Sequence, residues 1–166
     1  MPFDYIHTRV TAGCWSSFRD QIAVQALDAL NPGGWFESQE FDGFYGCDDG
    51  TMPADCALVR WMDDIRTASE SIDRPVLMAR YLRKVYEEVG FVDVQEKLFK
   101  IPSNGWPKDG RLKEVGRMWE HNFSQGLSGF SSYLFNRVYE WTPAEIEVSA
   151  HQLMLLHWRI LTESIG

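Results

Sequence analysis

The chain has 166 residues, 45% of them hydrophobic, and a formal net charge of −8 at pH 7. A length and apolar share of this size build one domain with a proper core. The charge argues against a nucleic-acid partner, whose phosphates call for clustered Lys and Arg. No signal peptide and no apolar run of membrane-spanning length is present, so the expectation is a cytoplasmic protein with no membrane partner. Cys14, Cys47 and Cys56 form no C-x-x-C pair. Reduced thiols suit that spacing better than a disulfide or a zinc site. Aromatic residues reach 14%, with seven Trp and ten Phe. A dense core accounts for them, and an apolar pocket or a large interface would use them too.

Phe3–Val10 is a short apolar and β-branched run of strand length. Ser16 or Ser17 can cap the helix that follows, in which Phe18, Ile22, Ala26 and Leu30 recur every fourth position. Asn31-Pro32-Gly33-Gly34 is expected to stop that helix, and Trp35–Phe41 to run as a second strand. Strand, helix and strand in this order predict a right-handed parallel crossover. The loop Asp42–Met52 then lies at the carboxyl end of a strand, where open α/β sheets bind ligands. Its Asp48-Asp49-Gly50 suits a turn. A metal site there is the weaker reading, because no further ligands stand at suitable spacing.

Pro53 can open a helix running to about Ser71, with Leu58, Trp61, Met62 and Ile65 on its apolar stripe. A second helix is expected over Pro75–Val89, with Leu77, Tyr81 and Val85 on one face and Gly90 ending it. Phe91–Ile101 reads as a third strand, at an edge because of its charges. Arg111–Tyr139 is mostly helical, and Gly116, Gly126 and Gly129 predict breaks between short helices. Thr142-Pro143-Ala144-Glu145 is a capping box opening the last helix, to about Thr162. Its stripe is Ile146, Ala150, Leu153 and Ile160. Met154, Leu155, Leu156 and Trp158 make it apolar almost all round, which calls for cover.

Phe3-Asp4-Tyr5-Ile6-His7-Thr8-Arg9, Asn31-Pro32-Gly33-Gly34-Trp35-Phe36-Glu37 and Glu40 resemble the second half of a class I S-adenosylmethionine-dependent methyltransferase. More narrowly, they are similar to the fungal methyltransferases related to the secondary-metabolism regulator LaeA. Asp48-Asp49-Gly50-Thr51, Glu88–Val94, Ile101-Pro102, Trp106–Asp109 and Trp141–Glu145 follow in the family's order. The resemblance implies an α/β fold: a partial Rossmann-like sheet of three strands over residues 1–102 and a helical lid over 103–166, in one domain. The family's glycine-rich loop and its acidic cofactor residue have no counterpart in the sequence. No cofactor is therefore expected on this chain.

Read by position, His7 and Arg9 stand at the end of the first strand and Glu40 near the end of the second. A histidine beside a carboxylate can do acid–base work near neutral pH, which nominates His7 and Glu40 as catalytic. Arg9 can pair with an anionic or enolic oxygen. Cys14, Trp15 and Tyr45 border the same strand ends, and Trp119 or His121 would reach in from the lid region. The bland alternatives are an Arg9–Glu40 ion pair, a hydrogen-bonded His7, and aromatics that simply pack. No metal ligand set is expected. Three functions stay open: a cyclase or isomerase acting on a small apolar metabolite without methyl donor, a non-catalytic subunit of a methyltransferase, or one half of a methyltransferase completed by another chain. The unpaired side of the first strand and the apolar last helix point to a homodimer or a hetero-oligomer.

Overall fold

The computed structural model describes residues 2–163 apart from 44, 48, 49, 51, 54 and 55, with the backbone alone for 154–163. The expectations placed on Asp48, Asp49 and the side chains of Met154–Trp158 lie outside the described residues. The described chain is mixed α/β, with five helices and a parallel two-stranded sheet. It gathers into two units, residues 1–45 with 62–96, and residues 46–61 with 97–166.

In the first unit, β1 (Phe3–Arg9) ends where Val10 takes a positive φ of 50°. The chain then turns into a helix whose start is held by Ser17. Its hydroxyl accepts from the Asp20 N–H at 3.2 Å and donates to the Asp20 carboxylate at 2.7 Å. The hydroxyl thus caps the helix start, while the Ser17 N–H is taken by the Gln21 amide oxygen at 3.0 Å. The helix opens with a π-helical stretch, Arg19–Ala23, before settling into α1 (Val24–Ala29). A π turn adds a residue, so the buried positions are Phe18, Ala23 and Ala26 and not the expected Phe18, Ile22 and Ala26.

β2 (Leu30–Gln39) starts earlier than expected. Asn31-Pro32-Gly33-Gly34 does not separate helix from strand but sits inside β2 as a wide bulge. Phe3 pairs with Leu30 and Tyr5 with Trp35, so the register slips between them. Gly33 has φ +83°, which favours glycine. A Cβ on Gly34 would sit 2.9 Å from the Asn31 carbonyl oxygen and 3.2 Å from that of Asp4, so only glycine passes there. Beyond the bulge the register is regular from Ile6–Phe36 to Arg9–Gln39, and it is parallel as a crossover helix requires.

α2 (Ala57–Ser71) ends where expected, and α3 (Ala79–Val89) ends at Gly90, whose φ of 119° lets its N–H reach the Tyr86 carbonyl. The buried face of α3 differs from the expected one. Leu82 is buried and Tyr86 half-buried, while Tyr81 is exposed. Tyr86 meets Phe18, Phe36 and Phe91 edge-on, with ring centroids 5.4–6.1 Å apart. These rings cover one face of the sheet.

The expected third strand, Phe91–Ile101, is absent among the described residues. The sheet holds β1 and β2 alone, so this segment has no neighbouring ladder to join. Val92, Leu98 and Phe99 are more than two-thirds exposed. A strand is a pairing of backbones, and side-chain pattern without a partner does not make one.

In the second unit, α4 (Gly110–Tyr139) is one continuous helix of 30 residues and not the expected short pieces. Asp109 caps it, accepting from the Leu112 N–H at 2.9 Å. Gly116 marks a close approach and not a break: a Cβ there would collide with the Asn104 carbonyl. Trp61, on the first turn of α2, donates from Nε1 to the Ser131 hydroxyl at 2.8 Å and meets Phe123 edge-on. α5 (Pro143–Glu163) starts at the expected capping box. Glu145 accepts from the Thr142 N–H and hydroxyl at 2.8 Å each, and its own N–H reaches the Thr142 hydroxyl at 3.3 Å. Ile146, Ala150 and Leu153 are its buried stripe.

Candidate functional site

The pleat decides which side chains share a face. Tyr5, His7 and Arg9 of β1 stand on the exposed face together with Trp35, Glu37 and Gln39 of β2. Ile6, Thr8, Phe36 and Ser38 alternate with them on the covered face, and Glu40 continues that phase. His7 and Glu40 therefore leave the sheet on opposite faces, although both stand toward its carboxyl ends. The carboxylate opposite His7 is Glu37, its register partner.

Glu37 accepts from the Tyr5 hydroxyl and, at 2.7 Å, from the Gln39 amide. The Tyr5 hydrogen bond, then that of Gln39, with a smaller attraction from His7, hold its carboxyl below the ordinary range. An ionised carboxylate thus faces the imidazole across the strand pair. Glu40 serves the backbone. Its oxygens accept from the Thr11 N–H at 3.0 Å, the Thr11 hydroxyl at 2.8 Å and the Ala12 N–H at 3.2 Å. It pins the loop that leaves β1. The Arg9–Glu40 ion pair is not among the described contacts.

That loop carries the exposed Cys14 and the half-buried Trp15. The loop beyond β2 is held by Asp42, which receives the Arg80 guanidinium on two oxygens, Nε at 2.7 Å and Nη2 at 2.8 Å. Tyr45 follows, and burial pushes its phenol well above the ordinary range. Trp119 and His121 belong to α4 in the second unit. Trp119 stacks on Phe123 at 6.1 Å, and His121 is exposed. Among the described residues no group of three His, Cys, Asp or Glu could hold a metal ion. None of the described helices is long and apolar enough to cross a membrane.

Three residues that sequence reasoning passed over gather at the covered side of the strand ends. Thr8 and Ser38 are register partners, and Tyr86 packs against Phe36, two residues before Ser38 on the same face. The hydroxyls of Thr8, Ser38 and Tyr86 are buried and make no well-formed hydrogen bond, although Ser38 lies near enough to Tyr86 for a weak one, and the Trp15 indole N–H in the loop after β1 is buried without a partner. Burial pushes the Tyr86 phenol up to about 12, weak hydrogen bonding with the Ser38 side chain pulls against that, and the Glu40 charge adds to it. Buried polar atoms are normally paired, so a group of orphans at one place marks a site. The available signal was polar residues, Thr8 and Ser38, standing in the apolar phase of two strands. The second unit has an open groove of about 530 Å³ beside the start of α5, lined by Trp141, Ala144, Glu145, Val148, Ser149 and Gln152.

The chain is a mixed α/β protein built on a parallel strand–helix–strand unit, with polar groups at the carboxyl ends of the strands. The sequence is 40% identical over 149 residues to the methyltransferase pytC of Aspergillus terreus, covering 89% of this chain and 45% of that protein. It is 32% identical over 140 residues to the secondary metabolism regulator LAE1 of Cochliobolus heterostrophus, covering 84% and 45%. It is 28% identical over 149 residues to the protein-methionine methyltransferase laeA of Emericella nidulans, covering 87% and 38%. The chain is thus a homologue of LaeA-like and pytC-like methyltransferases, and it spans less than half the length of these relatives. No family model matches it, and no solved structure does.

Proposed function

We propose that this chain is a methyltransferase-like protein of fungal secondary metabolism that binds a small, largely apolar metabolite at the carboxyl ends of β1 and β2. The single observation that carries this reading is the cluster of buried hydroxyls there, Thr8, Ser38 and Tyr86, which make no well-formed hydrogen bond beyond a weak one between Ser38 and Tyr86. They offer hydrogen bonds to an oxygenated ring system, and Phe36, Phe91 and Tyr86 supply apolar walls. His7, with the ionised Glu37 opposite it and Arg9 beside them, stands on the other, exposed face of the sheet and takes no part in this binding site. On this reading the chain promotes a cyclisation or isomerisation without methyl donor, by holding the reacting atoms in place.

The test is native mass spectrometry of the protein purified from a fungal host. One bound molecule of a few hundred daltons per chain is expected, absent from a Thr8→Val/Ser38→Ala double variant that folds normally. Ligand-free protein, or equal loading of the double variant, overturns the reading.

A second reading is favoured by the share of the relatives that the chain covers, 45% of pytC. In it the chain complements a second polypeptide to form a methyltransferase. Titration calorimetry with S-adenosylmethionine separates the two. The first reading expects no micromolar binding, because neither Gly33-Gly34 inside the β2 bulge nor Gly43 in the loop after β2 forms a glycine turn opening a helix. The second expects methyl transfer only when the chain is mixed with the part of pytC that it does not match.

A further inference from the structure

We propose that β1 is the interface of a homodimer, in which two copies pair their β1 strands antiparallel about Ile6. β1 is seven residues long and forms one edge of the two-stranded sheet. The Val10 N–H donates to the Gln39 carbonyl at 2.8 Å, toward β2. Strand N–H and C=O groups alternate in direction, so those of Tyr5, His7 and Arg9 point to the open side. Natural edges are guarded by Lys, Pro or a bulge, and β1 has no Lys or Pro and leaves the bulge to its partner strand.

The occupant is a second copy because the strand is its own complement. Centred on Ile6, the pairing uses all seven residues and keeps the two exposed faces on one side. Tyr5 then stands opposite His7 of the other copy, as a hydrogen-bonded pair of two planar rings. Phe3 stands opposite Arg9, a ring facing a guanidinium. Both Phe3 and Tyr5 are more than half exposed, so this contact gives them cover. On the covered face Ile6 meets Ile6, and Asp4 stands opposite Thr8. No like charges face each other. Sliding the register by two residues sets His7 opposite His7, or Tyr5 opposite Tyr5, and shortens the overlap. Pairing runs through backbone groups, so the His7 ring stays on the exposed face.

Light scattering on the purified chain at 100 µM is expected to give twice 19.2 kDa. Hydrogen exchange is expected to be slow at the Tyr5, His7 and Arg9 amides and to quicken on dilution. His7→Pro removes an N–H that points to the open edge and leaves the β1–β2 ladder intact, so it should yield a folded monomer. Tyr5→Phe should remain dimeric. A wild-type monomer at 100 µM overturns the proposal, as do rapid exchange at those three amides or a dimer that survives His7→Pro. Pairing seen only when the unmatched part of pytC is added would assign the edge to that polypeptide and overturn it as well. Exchange on the wild-type protein decides the matter even where His7→Pro does not fold.

Discussion

Single residues carry more of this structure than their type suggests. Gly116 is helical, and no positive φ requires a glycine there. What requires it is the Asn104 carbonyl lying against the α4 backbone, with Pro102 beside it. Gly116→Ala should cost about 3 kcal/mol, toward the upper end of overpacking penalties, because the obstacle is backbone and cannot rotate away. Urea unfolding measures this. Gly129 has open space at its Cβ position, and Gly129→Ala should instead be neutral or stabilising by up to about 1 kcal/mol. Equal effects at the two positions would refute the close-approach account. Glu40 teaches a related lesson. Its position at a strand end suited catalysis, but its oxygens are taken up by the Thr11 and Ala12 N–H groups and the Thr11 hydroxyl. Nothing local in the sequence distinguishes a carboxylate that binds substrate from one that binds its own loop.

At the scale of elements, start signals were legible and interiors less so. The Thr142–Glu145 capping box is local, lying within four consecutive residues, and the structure forms it as written. Hydrogen bonds from the Thr142 backbone and then its side chain hold the Glu145 carboxyl below its ordinary range. A lowered folded pKa means stabilisation that is present above the unfolded value of about 4.3 and lost as pH falls through the folded value. The helical signal of α5 should therefore weaken in acid below about pH 4. Glu145→Gln keeps the geometry and removes the charge, so circular dichroism should show less acid dependence at equal helicity near pH 7. An unchanged acid profile would count against this capping role. The glycines of α4 misled because a helix of eight turns that packs on a neighbour tolerates them; tertiary contact outweighs a propensity cost of about 1 kcal/mol each. The π turn at Arg19–Ala23 misled by one residue, which moved the buried position from Ile22 to Ala23.

At the scale of the whole molecule, titration of the buried phenols sets an upper pH limit. Burial pushes Tyr86 up to about 12 and pushes Tyr45 upward too. A raised phenol pKa stabilises the folded chain in full below the unfolded value of about 10, and that contribution is lost as pH rises from there toward the folded value. Urea midpoints should hold steady up to about pH 10 and fall between about 10 and 12. Tyr86→Phe should shallow that fall with little loss of stability at pH 8, since the buried hydroxyl it deletes has at most a weak hydrogen bond with Ser38. A steep fall that persists in Tyr86→Phe would place the cause elsewhere.

Local features were readable from the residues alone: a cap at Ser16 or Ser17, the Thr142 cap, the Gly90 helix end, the parallel strand–helix–strand order, and the kinship with LaeA-like methyltransferases. Each rests on residues within a few positions of one another or on an ordered series of short motifs. It took the folded chain to show that Phe91–Ile101 joins no sheet among the described residues, that Asn31–Gly34 is a bulge inside β2, and that His7 faces Glu37 and not Glu40. The reason is common to all three. Strand pairing and register are relations between distant segments, and one residue of slip moves every side chain to the other face. The orphan hydroxyls of Thr8, Ser38 and Tyr86 come from the same source, since three unremarkable residues become a candidate site only when β1, β2 and α3 are brought together.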